Sequence, residues 1–144
     1  MKLEFAKPSG WTESGRPGEP WTYSTSPGNS GNVFQLSFME NKTGKKLEPP
    51  PLLQEIATAQ ARKLGGTISG TESGPCAYGQ FGTATVKTAR FPYFQIWSIS
   101  NGVHFVTATF TCDVEPTSEE LRQVKVAVAS LHLVADAKSK WKFW

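Results

Sequence analysis

The chain has 144 residues and a net charge of +3, from 15 basic against 12 acidic side chains. That length holds one domain, residues 1–144, with a single sizeable core. The charge is too mild and too scattered for a nucleic-acid interface, which needs a basic stripe, and no run of 18 apolar residues is present to span a membrane.

Lys2 to Lys7 alternates weakly and stops at Pro8, which reads as a short first strand at a sheet edge. No signal-peptide apolar region precedes it, so the expected compartment is the cytoplasm. Residues 8–31 hold four prolines and five glycines around Trp11, Trp21 and Tyr23. This is a long loop or wandering strand, either pinned to the core by its aromatics or serving as a lid over a small hydrophobic ligand bound by Trp11, Trp21 and Tyr23. Packing is favoured, because a tryptophan left in water forgoes a large burial free energy.

Val33 to Met39 alternates, with Phe34, Leu36 and Phe38 on one side, as a half-buried strand does. Residues 41–46 form the turn that ends it. Pro51 is suited to the first position of a helix running to Leu64, with Leu53, Ile56 or Ala57, Gln60 or Ala61, and Leu64 at helical spacing. Gly65-Gly66 is its stop. Thr67 to Glu72 is a weak strand that Ser73-Gly74-Pro75 breaks, and Gln80 to Thr88 is a stronger one.

Phe91 to Cys112 is two apolar runs joined by Asn101-Gly102, the strongest short-range hairpin signal. A two-residue loop there places Ser100 opposite Val103, Trp97 opposite Val106 and Tyr93 opposite Phe110. One face then carries Phe91, Tyr93, Gln95, Trp97 and Ile99 against His104, Val106, Ala108, Phe110 and Cys112, and this is the expected core face. Pairing Thr88 with Phe91 across Ala89-Arg90 brings Gly82 beside Trp97 and adds Ala84 and Val86 to that core. The opposite face carries Phe81, Phe94, Ile96 and Phe105 among threonines, an apolar stripe suited to binding a protein partner. On this register Cys76 and Cys112 fall at opposite ends of the sheet, roughly 30 Å apart at ~3.3 Å per residue. That is far beyond the ~7 Å a disulfide tolerates, and two free thiols fit a reducing compartment.

Thr117-Ser118-Glu119-Glu120 has the form of a capping box, opening a helix whose Leu121, Val124, Val128 and Leu131 make an apolar seam. The tail, residues 137–144, alternates Lys138, Lys140 and Lys142 with Trp141, Phe143 and Trp144. It is suited either to a partner groove or anionic membrane, or, as favoured here, to folding back along a sheet edge.

Chemistry-bearing patterns are sparse. The only histidines are His104, just past the hairpin tip, and His132, near the end of the last helix. Cys76 and His104 share one end of the sheet, so a Cys/His-dependent enzyme is an alternative, but GPCAYGQ supplies no positive neighbour to create a thiolate. No C-x-x-C, H-x-x-x-H, dense carboxylate loop or phosphate-binding loop occurs, and no metal or cofactor is expected.

Three stretches carry a family likeness: FAKPSGW near the start, VFQLSF before the first helix, and QFGTATVKTARFPYFQIWSISNGVHFVTATF leading into SEELRQVKVAVASLHL. Together they resemble the PsbP/DcrB/Mog-type fold. The resemblance implies an α+β domain, an antiparallel β-sheet with two main helices packed on it as an α/β/α sandwich. It also implies a binding or accessory role, with partners ranging among members from a small GTPase to a photosystem subunit or envelope and secretion components. The expected function is therefore a non-catalytic protein-interaction module of a bacterial cell, immunity- or secretion-linked, with a small hydrophobic ligand under the Trp11–Trp21 loop as the alternative. No functional residue carries over from the family.

Overall fold

A computed structural model describes residues 2–8, 10–14, 21–25, 31–39 and 50–134. The first part of the chain supplies β1 (Lys2–Glu4), β2 (Thr12–Ser14), β3 (Trp21–Ser24), β4 (Val33–Met39) and α1 (Pro50–Arg62). Then follow β5 (Thr67–Pro75), β6 (Gln80–Lys87), β7 (Tyr93–Ser100), β8 (Phe105–Cys112), α2 (Ser118–Ala129) and β9 (His132–Val134). Seven strands form one antiparallel sheet in the order β2-β3-β4-β8-β7-β6-β5, and β1 pairs with β9 beside it. The fold is α+β, with helices on both faces of the sheet.

The β7–β8 hairpin differs in register from the two-residue loop predicted at Asn101-Gly102. Ser100 pairs with Phe105, Trp97 with Ala108 and Tyr93 with Cys112. Asn101 is the reason. Its side-chain Oδ1 accepts the amides of Val103 at 2.9 Å and His104 at 2.6 Å, so it sits at the start of the turn rather than in its centre, and Gly102 takes the positive φ of 92°. The slip is two residues, an even number, so the paired side chains of β7 and β8 keep their predicted faces, while Phe91, ahead of β7, lies beside Phe94 at 6.3 Å between ring centroids.

The β6–β7 connection slips by one residue, and here the faces exchange. Thr88 does donate to Phe91 O at 3.0 Å as expected. Beyond that point Val86 pairs with Phe94, so two steps along β6 match three along the returning chain. The surplus includes Pro92, which has no N–H to give to a ladder. Trp97 consequently faces Thr83 rather than Gly82. Ala84 and Val86 leave the expected core face and form a second core with Ala57, Ala61 and Ile96 beneath α1. Gly82 faces α1 as well: a Cβ there would lie 2.1 Å from Gln54 N and 2.3 Å from Leu53 C.

The larger core lies under α2. Phe34, Leu36, Ile99, Val106, Ala108, Phe110 and Cys112 meet Val124, Ala127, Val128 and Leu131 there. The capping box is present: Thr117 Oγ1 accepts Glu120 N at 3.1 Å and Glu120 Oε1 accepts Thr117 N at 3.2 Å. Its other oxygen, Oε2, is buried and accepts from Asn32 Nδ2 at 3.0 Å, with Thr25 Oγ1 at 3.2 Å. Asn32 Oδ1 in turn accepts Val114 N at 3.2 Å, tying β4 to the approach to α2.

Several elements differ from the sequence expectation. α2 stops at Ala129, and Leu131 reaches the core from beyond the helix, while His132 lies on β9 rather than at a helix end. Part of the expected wandering loop is the β2–β3 hairpin. Ser73-Gly74-Pro75 does not break β5, which continues to the turn at Cys76. No helix among the described residues is long and apolar enough to cross a membrane.

Two substitutions test this packing. Gly82→Ala must lift α1 off β6, because the colliding atoms are backbone, and we expect a loss of about 3 kcal/mol in urea unfolding. Asn32→Ala strands the Val114 amide and takes a donor from a buried carboxylate, with an expected loss of about 2 kcal/mol by the same measurement.

Candidate functional site

α2 covers only part of its face of the sheet, and beside it the described residues enclose a cleft of about 430 Å³. The floor is Phe81 and Thr83 from β6 with Tyr93, Gln95 and Trp97 from β7. Leu121, Lys125, Val128 and Ala129 of α2 form one wall, and Glu72, Pro75, Cys76 and Ala77, from β5 and its turn, the other. The volume is in the range of small-ligand pockets and of a socket for one large side chain.

Thr83, Tyr93 and Gln95 are brought together by the displaced β6–β7 register. Tyr93 donates its hydroxyl to Gln95 Oε1 at 2.7 Å, Gln95 Nε2 donates to Thr83 Oγ1 at 3.0 Å, and Thr83 Oγ1 donates to Ile96 O at 2.7 Å. The chain of bonds ends on backbone, so these buried groups satisfy one another and leave Phe81 and Trp97 as the apolar floor. Burial raises the Tyr93 hydroxyl pKa. Tyr78, in the β5–β6 turn, is buried with no hydrogen-bond partner for its hydroxyl among the described residues, and burial, with Cys76 beside it, pushes its pKa up to about 12.

Of the expected partner-binding stripe, Phe81 alone is in the cleft. Phe94 and Ile96 point to the opposite face and pack under α1, and Phe105 is half-buried where β8 pairs with Ser100 and Met39. The stripe is divided because the one-residue slip turns Phe81 away from the other three. Trp141, Phe143 and Trp144 lie outside the described residues, as do Lys138, Lys140 and Lys142.

Trp11 and Tyr23, expected to pin their segment to the core and named for a ligand only in the alternative, are 4% and 6% exposed and belong to the core. They cluster with Phe5 and Phe34 at ring separations of 5.2–6.2 Å, and Trp11 Nε1 donates to Gln123 Oε1 at 3.2 Å. Trp21 is half-buried against the same core.

Cys76 and Cys112 are both free, Cys76 in the cleft wall and Cys112 fully buried opposite Tyr93. His104 leans its ring on Phe38 of β4, 5.6 Å between centroids. Cys76, by contrast, lines the cleft with Phe81 of β6, and β8 and β7 stand between those two strands. His132 Nδ1 lies 2.9 Å from Ser130 O, and its Nε2 is 3.8 Å from Glu4. Among the described residues no group of three or more His, Cys, Asp or Glu is placed to hold a metal ion.

The sequence matches no protein-family model and no curated protein. In three dimensions it is similar to the solution structure of cyanobacterial PsbP from Synechocystis sp. PCC 6803, with a TM-score of 0.61 over 92% of this chain and 86% of that one. The chain has a PsbP-like fold. Identity between the two is 12%, so the PsbP likeness establishes the architecture alone and leaves the cleft to be read from its own residues.

Missed in the sequence, Gln95 and Thr83 had one visible signal: Gln95 is a polar residue in the same alternating row as Trp97 and Ile99. Thr83 carried none, because its face depends on the register between β6 and β7.

Burial pushes the Cys112 thiol from its ordinary 9.0 up to about 12, with Glu120, Glu115 and Asp113 adding to the shift. A raised folded-state pKa contributes stability that is complete below pH 9 and lost as pH rises towards 12. The Tyr78 hydroxyl acts in the same direction from its ordinary 10.0. We expect the urea midpoint to decline above pH 9, and Cys112→Ala to flatten the first part of that decline while lowering stability at neutral pH through lost packing.

Proposed function

We propose that this protein is a non-catalytic protein-interaction module of accessory type, and that its partner seats an apolar side chain in the cleft between α2 and β5–β7. The observation that carries the reading is the floor of the cleft: its polar groups are engaged with one another, leaving the half-buried Phe81 ring, backed by the buried Trp97, to receive a partner group. Interfaces are anchored in this way, by a few aromatic or aliphatic side chains filling desolvated sockets. Glu72 and Lys125 supply charge of both signs at the walls, as the polar rim around such a socket does. The cytoplasm is the compartment we assign, supported by the two free thiols. A bacterial secretion- or immunity-linked role is the setting we propose for a module of this kind.

The volume of the cleft also favours a second reading, a small apolar ligand held there rather than beneath the Trp11–Trp21 segment. An NMR titration with N-acetyl-phenylalanine amide and N-acetyl-leucine amide, stand-ins for an anchoring side chain, tests the site itself. We expect millimolar binding, with shifts confined to Phe81, Thr83, Gln95, Trp97 and Val128. Ala129→Trp, which fills the cleft from the exposed side of α2, abolishes these shifts without changing the unfolding midpoint. Shifts elsewhere, or none, would remove the cleft as the binding site.

A further inference from the structure

We propose that the partner is an extended peptide segment that adds as a further strand along the outer edge of β5 and lays one apolar side chain into the cleft. This rests on the reading of the cleft above and adds to it the partner's backbone.

β5 is the last strand of the seven-stranded sheet, with no described strand outside it. It is nine residues long and exposed over most of its length, whereas β2 at the other end of the sheet has only three residues. At the β5–β6 turn Cys76 and Gly79 exchange both backbone hydrogen bonds, each 3.0 Å. Antiparallel ladders alternate, so the amides and carbonyls of Gly74 and Glu72 point inward to Phe81 and Thr83. Those of Ser73 and Thr71 therefore point outward. Pro75 occupies an outward position too, where its missing N–H takes nothing from the β6 ladder.

The two ends of β5 are blunted, one by Pro75 and the other by the irregularity between Ile68 and Gly70. Between them Thr71 and Ser73 present two donors and two acceptors at a repeat of roughly 6.8 Å. An extended backbone answers that pattern, as in other strand-addition complexes.

Side chains narrow the partner further. Glu72 and Gly74 face the cleft side, because they pair with Thr83 and Phe81, which line it. Opposite Gly74 a partner side chain meets none from β5 and lies over the Phe81 ring, whose Cε1 is 3.7 Å from the place a Gly74 Cβ would occupy. Two residues along, the partner faces the Glu72 carboxylate, where a Lys or Arg is the complement. The class of ligand is an extended segment carrying a basic residue and a leucine or aromatic residue two positions apart.

The test uses synthetic eight-residue peptides with Lys-x-Leu, Lys-x-Phe or Lys-x-Trp at their centre, and controls with the two residues adjacent. We expect a patterned peptide to slow amide exchange at Thr71 and Ser73 at least tenfold, and the controls to do so weakly or not at all. Ser73→Pro removes an outward N–H while leaving the β6 ladder intact, and should weaken binding tenfold or more at an unchanged unfolding midpoint. Should that variant fold poorly, Glu72→Lys serves instead, weakening the Lys-x-Leu peptide and favouring its Glu-x-Leu counterpart. Peptides that shift cleft resonances and respond to Ala129→Trp, yet leave Thr71 and Ser73 unprotected and ignore Ser73→Pro, would overturn strand addition and leave the cleft reading standing. If neither peptides nor the capped amino acids reach the cleft, both readings fall. Protection of Thr71 and Ser73 that grows with protein concentration in the absence of peptide would assign the edge to a second copy of this chain and overturn the proposal.

Discussion

A one-residue displacement of the register between β6 and β7, beside the turn that holds Pro92, sets the two-sided organisation of the molecule. With it, Ala84, Val86 and Gly82 face α1, while Phe81 and Thr83 face the cleft. An in-register pairing would place Gly82 under Trp97 and Phe81 beneath α1. The helix could not then approach as it does, because α1 comes close enough to β6 that only a hydrogen fits at position 82.

The two faces of the sheet are stabilised differently. Under α1 the contacts are small, Ala57 and Ala61 against Ala84, Val86 and Ile96, and close backbone approach takes the place of large side-chain volume. Under α2 the core is built from large rings and branched side chains, among them Phe34, Phe110 and Trp97. Burial of that size contributes most of the hydrophobic stabilisation. The capping-box Glu120 joins α2 to the rest of the molecule through Asn32 and Thr25, so a local helix-start signal also performs long-range work.

Since α2 spans only part of its face, no other described element covers the β5–β7 end, and the cleft and the outer edge of β5 adjoin one another there. Glu72 belongs to both, as a residue of the edge strand and of the cleft wall. The cleft arises without strain or special chemistry, from a helix that is narrower than its sheet.

Patterns that act within a few residues were legible in the sequence. The capping box at Thr117, the start of α1 within one residue of Pro51, the alternation of Val33 to Met39 and the face assignments within β7 and β8 all depend on local spacing, and all are present. So was the separation of Cys76 from Cys112, which needs only strand direction. The faces of β6 were not legible, because they turn on its register with β7, and a one-residue choice between strands leaves no trace in either strand's own alternation. Nor was the cleft: its Thr83, Gln95 and Lys125 come from three elements that meet only once the sheet and α2 have packed. The sequence by itself determined which elements exist and which side chains they present to each face within a hairpin. Tertiary structure decided which face meets which helix, since that depends on registers and contacts between segments far apart in the chain.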